Sequence, residues 1–214
     1  MISTNRQELL TGVPRPIPAE LTRMALLKRL GAGEARLIVL AAPTGYGKTT
    51  LLAQYARVAA QPCAWISLSA DESEPKNLLL ATALALNVVG IDAPRSVAAA
   101  AHGATGEALA RALAADLTQH AGALDLIFDG FERIGAVSSR WLTLVADLLV
   151  SGQRVLLSGF DLTELRLARS LARGTAVVIG VETLRFSHEE AATYLHSRSL
   201  MRLGAATVGP SVWD

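Results

Sequence analysis

The chain has 214 residues, enough for one sizeable core or for a domain with an appendage. With 51% hydrophobic and 18% charged residues and a mean hydropathy of +0.35, its composition is that of a globular chain, which excludes a disordered one. The apolar runs are short and broken by charge, which excludes a membrane span of about 18 or more residues, and a formal net charge of +1 argues against a surface built mainly to grip nucleic acid.

Met1 to Thr11 carries polar and charged positions and lacks the apolar core of a secretion signal, so a cytoplasmic location is expected. Gly12-Val13-Pro14-Arg15-Pro16-Ile17-Pro18 is too rich in proline for a helix and reads as an extended arm up to Ala19. From Glu20 to Leu30, Leu21, Met24, Leu27 and Leu30 recur at helical spacing, and Gly31 stops the helix. Arg36-Leu37-Ile38-Val39-Leu40-Ala41 is an apolar run rich in branched residues, the pattern of a strand buried on both faces.

The next stretch is the most informative. Ala42-Pro43-Thr44-Gly45-Tyr46-Gly47-Lys48-Thr49 follows the G-x-x-x-x-G-K-[ST] pattern with alanine in the first glycine place, and Thr50-Leu51-Leu52-Ala53-Gln54-Tyr55-Ala56 continues as a helix. A helix start leaves its first amides without internal partners and carries partial positive charge, so the turn holds an anion. Gly45 and Gly47 let the backbone fold around phosphate oxygens, Lys48 adds a point charge for the outer phosphates, and the Thr49 hydroxyl is placed to ligate Mg²⁺. The chain is therefore expected to bind ATP or ADP with Mg²⁺ through Ala42 to Thr50. The helix from Glu20 is placed to cover the base, with Arg23 as the residue of interest; a solvated helix arginine is the alternative.

Cys63 to Leu68 reads as a second strand, in which the single cysteine is a buried strand residue and not a reactive thiol. The acidic loop Ser69 to Pro75 leads to a helix over Lys76 to Val89, stopped by Gly90. Ile91 to Gly106 is low in information and reads as a surface connection, with His102 an ordinary exposed histidine. Glu107 to His120 is helical by composition. Leu124-Asp125-Leu126-Ile127-Phe128-Asp129 is a third strand whose last carboxylate emerges where open α/β sheets bind ligands, so Asp129 is the second candidate Mg²⁺ ligand.

Many hydrolytic relatives of this pattern place an acidic residue directly after that aspartate, and here it is Gly130. Glu132 stands two positions on and either reaches a water or flanks the next helix, so binding is expected and efficient hydrolysis is not. Trp141 to Val150 is an amphipathic helix, and Arg154 to Ser158 is a fourth strand ending in Gly159, with Ser158 a weak candidate γ-phosphate sensor. Arg166, Arg169 and Arg173 fit an exposed helix face. Ala176 to Ile179 is a fifth strand. Ser187 and Glu190 form a capping box that starts a helix running to about Leu203, and His188 in its first turn reads as a surface residue.

These elements predict a three-layer α/β P-loop NTPase fold with a mostly parallel five-stranded sheet. The expected division is an arm and helix over the site at 1–35, the NTPase domain at 36–185, the start of a helical lid at 186–203 and a disordered tail at 204–214.

The run Ala41 to Leu52, then Ala64-Trp65-Ile66-Ser67-Leu68, then Leu126 to Asp129, then Leu184-Arg185-Phe186-Ser187-His188-Glu189-Glu190-Ala191 resembles one family over roughly Pro14 to Leu195. It is similar to the nucleotide-binding domain of the large ATP-binding LuxR-type (MalT-like) regulators of the STAND class. That resemblance implies an ATP-driven switch with slow hydrolysis and self-association, a phosphate cradle over Gly45 to Thr50, Asp129 at Mg²⁺, and Thr22 and Arg23 beside the adenine. The family usually has an acidic residue where Gly130 stands and an arginine where Gly159 stands. Its regulators continue into a helical arm, a sensor domain and a helix-turn-helix not seen here, so this stretch is expected to be a fragment or stand-alone module without its own DNA-binding part. An active AAA-like ATPase using Glu132, or a degenerate interaction domain, are the competing readings.

Overall fold

The computed structural model describes residues 11–18, 20–120 and 122–206. Five strands, β1 (Leu37–Ala41), β2 (Cys63–Ser67), β3 (Leu124–Asp129), β4 (Gln153–Gly159) and β5 (Ala176–Ile179), form one sheet in the order β2-β3-β4-β1-β5. All its pairings are parallel, as the near-continuous apolar runs require: every residue of β1 and of β4 is buried. Helices α1 (Met24–Gly31) and α2 (Lys48–Val58) cover one face, and α3 (Pro75–Val88), α4 (Pro94–Ala101), α5 (Gly106–Gln119) and α6 (Gly135–Leu148) cover the other. The pleat divides the strands between two cores: Leu37 and Val39 join the α3 to α6 side, while Ile38 and Leu40 join the α1 and α2 side. Short helices α7 (Ala168–Ala172) and α8 (Val181–Leu184) flank β5, and α9 (His188–Ala206) ends the described chain. The three-layer α/β P-loop expectation is met.

Several boundaries differ from the sequence reading, each for a tertiary reason. Helix α1 begins at Met24, not Glu20, because the backbone of residues 21–23 is claimed by a side chain: Gln54 of α2 donates to the Leu21 carbonyl (2.9 Å) and accepts from the Arg23 amide (3.5 Å). The supposed surface connection after Gly90 contains α4, with Pro94 in its first turn and Ser96 and Ala100 buried. Its start is capped from a distance, since Asp116 on α5 accepts the Arg95 and Ser96 amides at 3.1 and 2.8 Å. Helix α6 starts at Gly135, six residues before Trp141. Around the arginines the chain forms a single 3-10 turn (Thr163–Leu165) and the short α7, with Arg166 in a left-handed conformation (φ 48°), and Arg166, Arg169 and Arg173 are exposed. Helix α9 extends to Ala206, and the rest of the expected tail, residues 207–214, lies outside the described residues, as does most of Met1 to Thr11.

The sheet also buries a charge pair. Asp125 on β3 faces Arg154 on β4 in register, and the guanidinium donates to both carboxylate oxygens at 2.8 Å. Tyr55 (2.5 Å) and Gln61 (2.7 Å) donate to the same carboxylate, and Arg154 also reaches the carbonyl of Leu30 at 2.9 Å. Burial, then the hydrogen bond to Asp125, push the Tyr55 hydroxyl above its ordinary range. Burial works against the Arg154 charge, but Asp125 and Tyr55 more than offset it, and its pKa stands above the usual value. Half-buried Cys63 is pushed up to about 12, first by burial and then by Asp125, which keeps it a thiol and fits the inert reading.

Candidate functional site

The loop after β1 has the backbone its sequence requires. Among the residues of Ala42 to Thr49 only Gly45 (φ 93°) and Gly47 (φ 73°) have positive φ. Ala42 needs no such freedom and is 2% exposed in the core, which explains why alanine serves in the first glycine place. Gly47 is the N-cap of α2 and has no side chain to satisfy the first-turn amides, so they face the loop. Lys48 donates to the carbonyls of Ala42 (2.6 Å) and Pro43 (3.0 Å), bracing the turn on itself.

Asp129 ends β3 next to this loop. The Thr49 hydroxyl lies 2.9 Å from each of its carboxylate oxygens, although the two residues are 80 apart in the chain. Ser158, opposite Asp129 in register on β4, donates to the same carboxylate and accepts the Gly130 amide at 3.1 Å. Thr44, Gly45, Gly47, Lys48, Thr49 and Thr50 line one cavity of about 320 Å³ with Asp129, Gly130, Glu132, Arg133 and Ser158. Lys48 and Asp129 therefore open onto the same space, at the C-terminal end of the strands. Among the described residues no group of three or more His, Cys, Asp or Glu is gathered to hold a metal. One carboxylate and one hydroxyl, both hard oxygens, fit a Mg²⁺ that takes its other ligands from phosphates and water.

A second cavity, of about 480 Å³, shares Thr44, Gly45, Gly47 and Thr50 with the first and extends beneath the arm. Leu21, Leu51, Leu184, Phe186, Tyr46 and Tyr194 give it apolar walls. Arg23 borders it, but neither as a solvated helix residue nor with a free guanidinium. Its side chain, 10% exposed, forms a two-pronged pair with Glu190 (2.9 and 3.0 Å), donates to the carbonyls of Leu184 (2.7 Å) and Arg185 (3.0 Å), and lies 5.1 Å from the Phe186 ring centre. Thr22 is exposed and does not line this cavity. Pro43 is exposed at the turn and borders neither cavity.

Glu190 thus has two duties. It closes the expected capping box, with the Ser187 amide donating to it at 2.9 Å and its own amide reaching the Ser187 hydroxyl at 3.1 Å, and it holds Arg23. The Arg23 hydrogen bond, against the cost of desolvation and with help from the Ser187 amide, holds its carboxyl below the usual range. A carboxylate whose folded pKa is depressed adds stability that is present above the unfolded value of about 4.3 and lost as pH falls through the folded one. Glu190→Gln is therefore expected to be less stable than wild type at pH 7, by the ~0.2–1 kcal/mol of a solvent-screened pair, with the gap closing toward pH 3 in thermal melts. A gap that stays constant with pH would refute the pairing.

Sequence reasoning missed Gln54, Phe186 and Tyr194 as wall residues. Only Gln54 carried a signal, as an amide on the otherwise apolar buried face of α2.

No family model matches the chain. It is 28% identical over 178 residues to the HTH-type transcriptional regulator MalT of Yersinia enterocolitica, a match covering 81% of this chain and 20% of that protein. In fold it is similar to the crystal structure of a Signal Transduction ATPase with Numerous Domains (STAND) protein with a tetratricopeptide repeat sensor from Pyrococcus horikoshii, with a TM-score of 0.63 and 13% identity over 88% of this chain and 27% of that one. The chain thus spans about one fifth of the length of the regulator it matches in sequence. In sequence, then, the chain is similar to a MalT regulator, and in fold, with its parallel sheet in the order β2-β3-β4-β1-β5, it is similar to a STAND protein.

Proposed function

We propose that this domain is a MgATP-binding regulatory switch with slow hydrolysis. The observation that supports it is the meeting of Thr49 and Asp129 at 2.9 Å across a cavity that Lys48 also lines. In this reading Gly45 to Thr50 cradle the phosphates, Thr49 and Asp129 hold Mg²⁺, and the wider apolar cavity takes the base. Mg²⁺, when bound, neutralises charge on the outer phosphates. Residues 1–35 act as an arm over the site, 36–185 as the NTPase core and 186–203 as the first part of a lid. The Arg23 to Glu190 pair joins arm to lid across the base cavity, an arrangement suited to a switch that reports occupancy through self-association or a partner protein.

Slow turnover follows from the side chains at two positions. Gly130 supplies no carboxylate beside Asp129, and Gly159 supplies no cation at the end of β4. Purified protein is expected to carry nucleotide detectable by mass spectrometry and to release phosphate far below the enzyme median of about 10 s⁻¹. Turnover near that median would overturn the switch reading in favour of an active ATPase.

A further inference from the structure

Gly130 and Gly159 each follow a member of the registered pair Asp129 and Ser158, at the ends of neighbouring strands. Gly130 takes a left-handed conformation (φ 86°), in which a side chain is strained, and it turns the chain at the end of β3 into a single 3-10 turn over Phe131–Arg133. That turn lies against Gly159: a Cβ built there would collide with the Phe131 ring and stand 2.7 Å from a Glu132 carboxylate oxygen. The absence of a side chain at 159 is thus what lets Phe131 bury (1% exposed) and sets Glu132 at the rim of the phosphate cavity.

The carboxylates nearby are otherwise engaged. Asp129 is held by Thr49 and Ser158, and Glu72, 4% exposed, is bound to the amide and hydroxyl of Ser69. Arg133 donates to the Leu68 carbonyl at 3.1 Å and does not pair with Glu132. Among the described residues Glu132 is the acidic side chain that lines this cavity with neither a hydrogen bond nor an ion pair.

We infer that Glu132 is the general base for ATP hydrolysis, in place of an acidic residue at 130, and that Gly159 is its positioning residue. This rests on the MgATP reading above. The Glu132 carboxylate takes a proton from a water as that oxygen bonds to the γ-phosphorus and the bond from the γ-phosphorus to the β,γ-bridging oxygen breaks. ADP and inorganic phosphate leave, and the proton passes from Glu132 to solvent.

The test compares wild type, Glu132→Gln, Gly159→Ala and the double variant. Affinity is read with a fluorescent non-hydrolysable ATP analogue and Mg²⁺, and the chemical step by single turnover of bound ATP. Glu132→Gln is expected to lower the single-turnover rate about 10²-fold or more with affinity unchanged, the loss typical of a general base. Gly159→Ala should slow the wild type and have no further effect in the Glu132→Gln background, because its influence runs through Glu132. Turnover by Glu132→Gln at the wild-type rate, bound ATP that the wild type never cleaves, or equal slowing by Gly159→Ala in both backgrounds would each overturn this inference while leaving nucleotide binding in place. A wild type that does not bind the analogue would overturn the MgATP reading itself, and this inference with it.

Discussion

Asp125→Ala is expected to destabilise the domain by about 3–5 kcal/mol, the range for removing one partner of a buried ion pair. The Asp125 side chain is wholly buried, and its loss leaves the Arg154 guanidinium, 9% exposed, with two of its donors unpaired. For a domain of 150–250 residues each kcal/mol moves the melting temperature by about 2–4 °C, so a drop of roughly 10 °C is expected in a calorimetric or fluorescence melt. A combined Asp125→Leu, Arg154→Met variant should recover most of that loss, because an apolar pair of similar size removes the lone charge. A single variant that melts within about 2 °C of wild type would show that water reaches Arg154. The pair also bears on the site. Asp125 and Asp129 lie on the same face of β3, as Arg154 and Ser158 do on β4, and both are matched in register. A slip of one residue would break the ion pair and carry Asp129 away from Ser158.

Lys48→Ala is expected to abolish the thermal stabilisation that MgATP confers. A ligand at 100 times its Kd stabilises the folded state by about 2.7 kcal/mol, or about 5–10 °C for a domain of this size. The wild type should show this shift and the variant none, since the loop then lacks its charge for the outer phosphates. Without nucleotide the variant should lose about 1–3 kcal/mol, the worth of the two hydrogen bonds to Ala42 and Pro43. A full MgATP shift in the variant would remove Lys48 from the site, whereas no shift in either chain would favour a degenerate interaction domain.

The sequence was most legible where chemistry is local. The glycine turn ahead of α2, the five strands and the Ser187 to Glu190 capping box each depend on residues within a few positions of one another, and each is found where expected. The place of Asp129 at the end of β3 was legible because the end of an apolar strand has a known place in an open sheet. What escaped depends on partners far along the chain. Arg23 meets Glu190 across 167 positions, Tyr55 meets Asp125 across 70, and Arg154 meets Asp125 across 29. Neither periodicity nor motif spacing encodes such meetings. The turn that sets Glu132 beside Gly159 escaped for the same reason, because two glycines in different strands decide it jointly.

The remote cap on α4 has a consequence for how the molecule comes apart. Because Asp116 supplies the first acceptors for α4, that helix cannot persist once α5 frays, and the Arg95 and Ser96 amides should exchange with solvent only as fast as α5 opens. The two helices therefore behave as a single cooperative unit on the face of the sheet opposite the phosphate loop, and loosening there need not disturb the grip on a ligand.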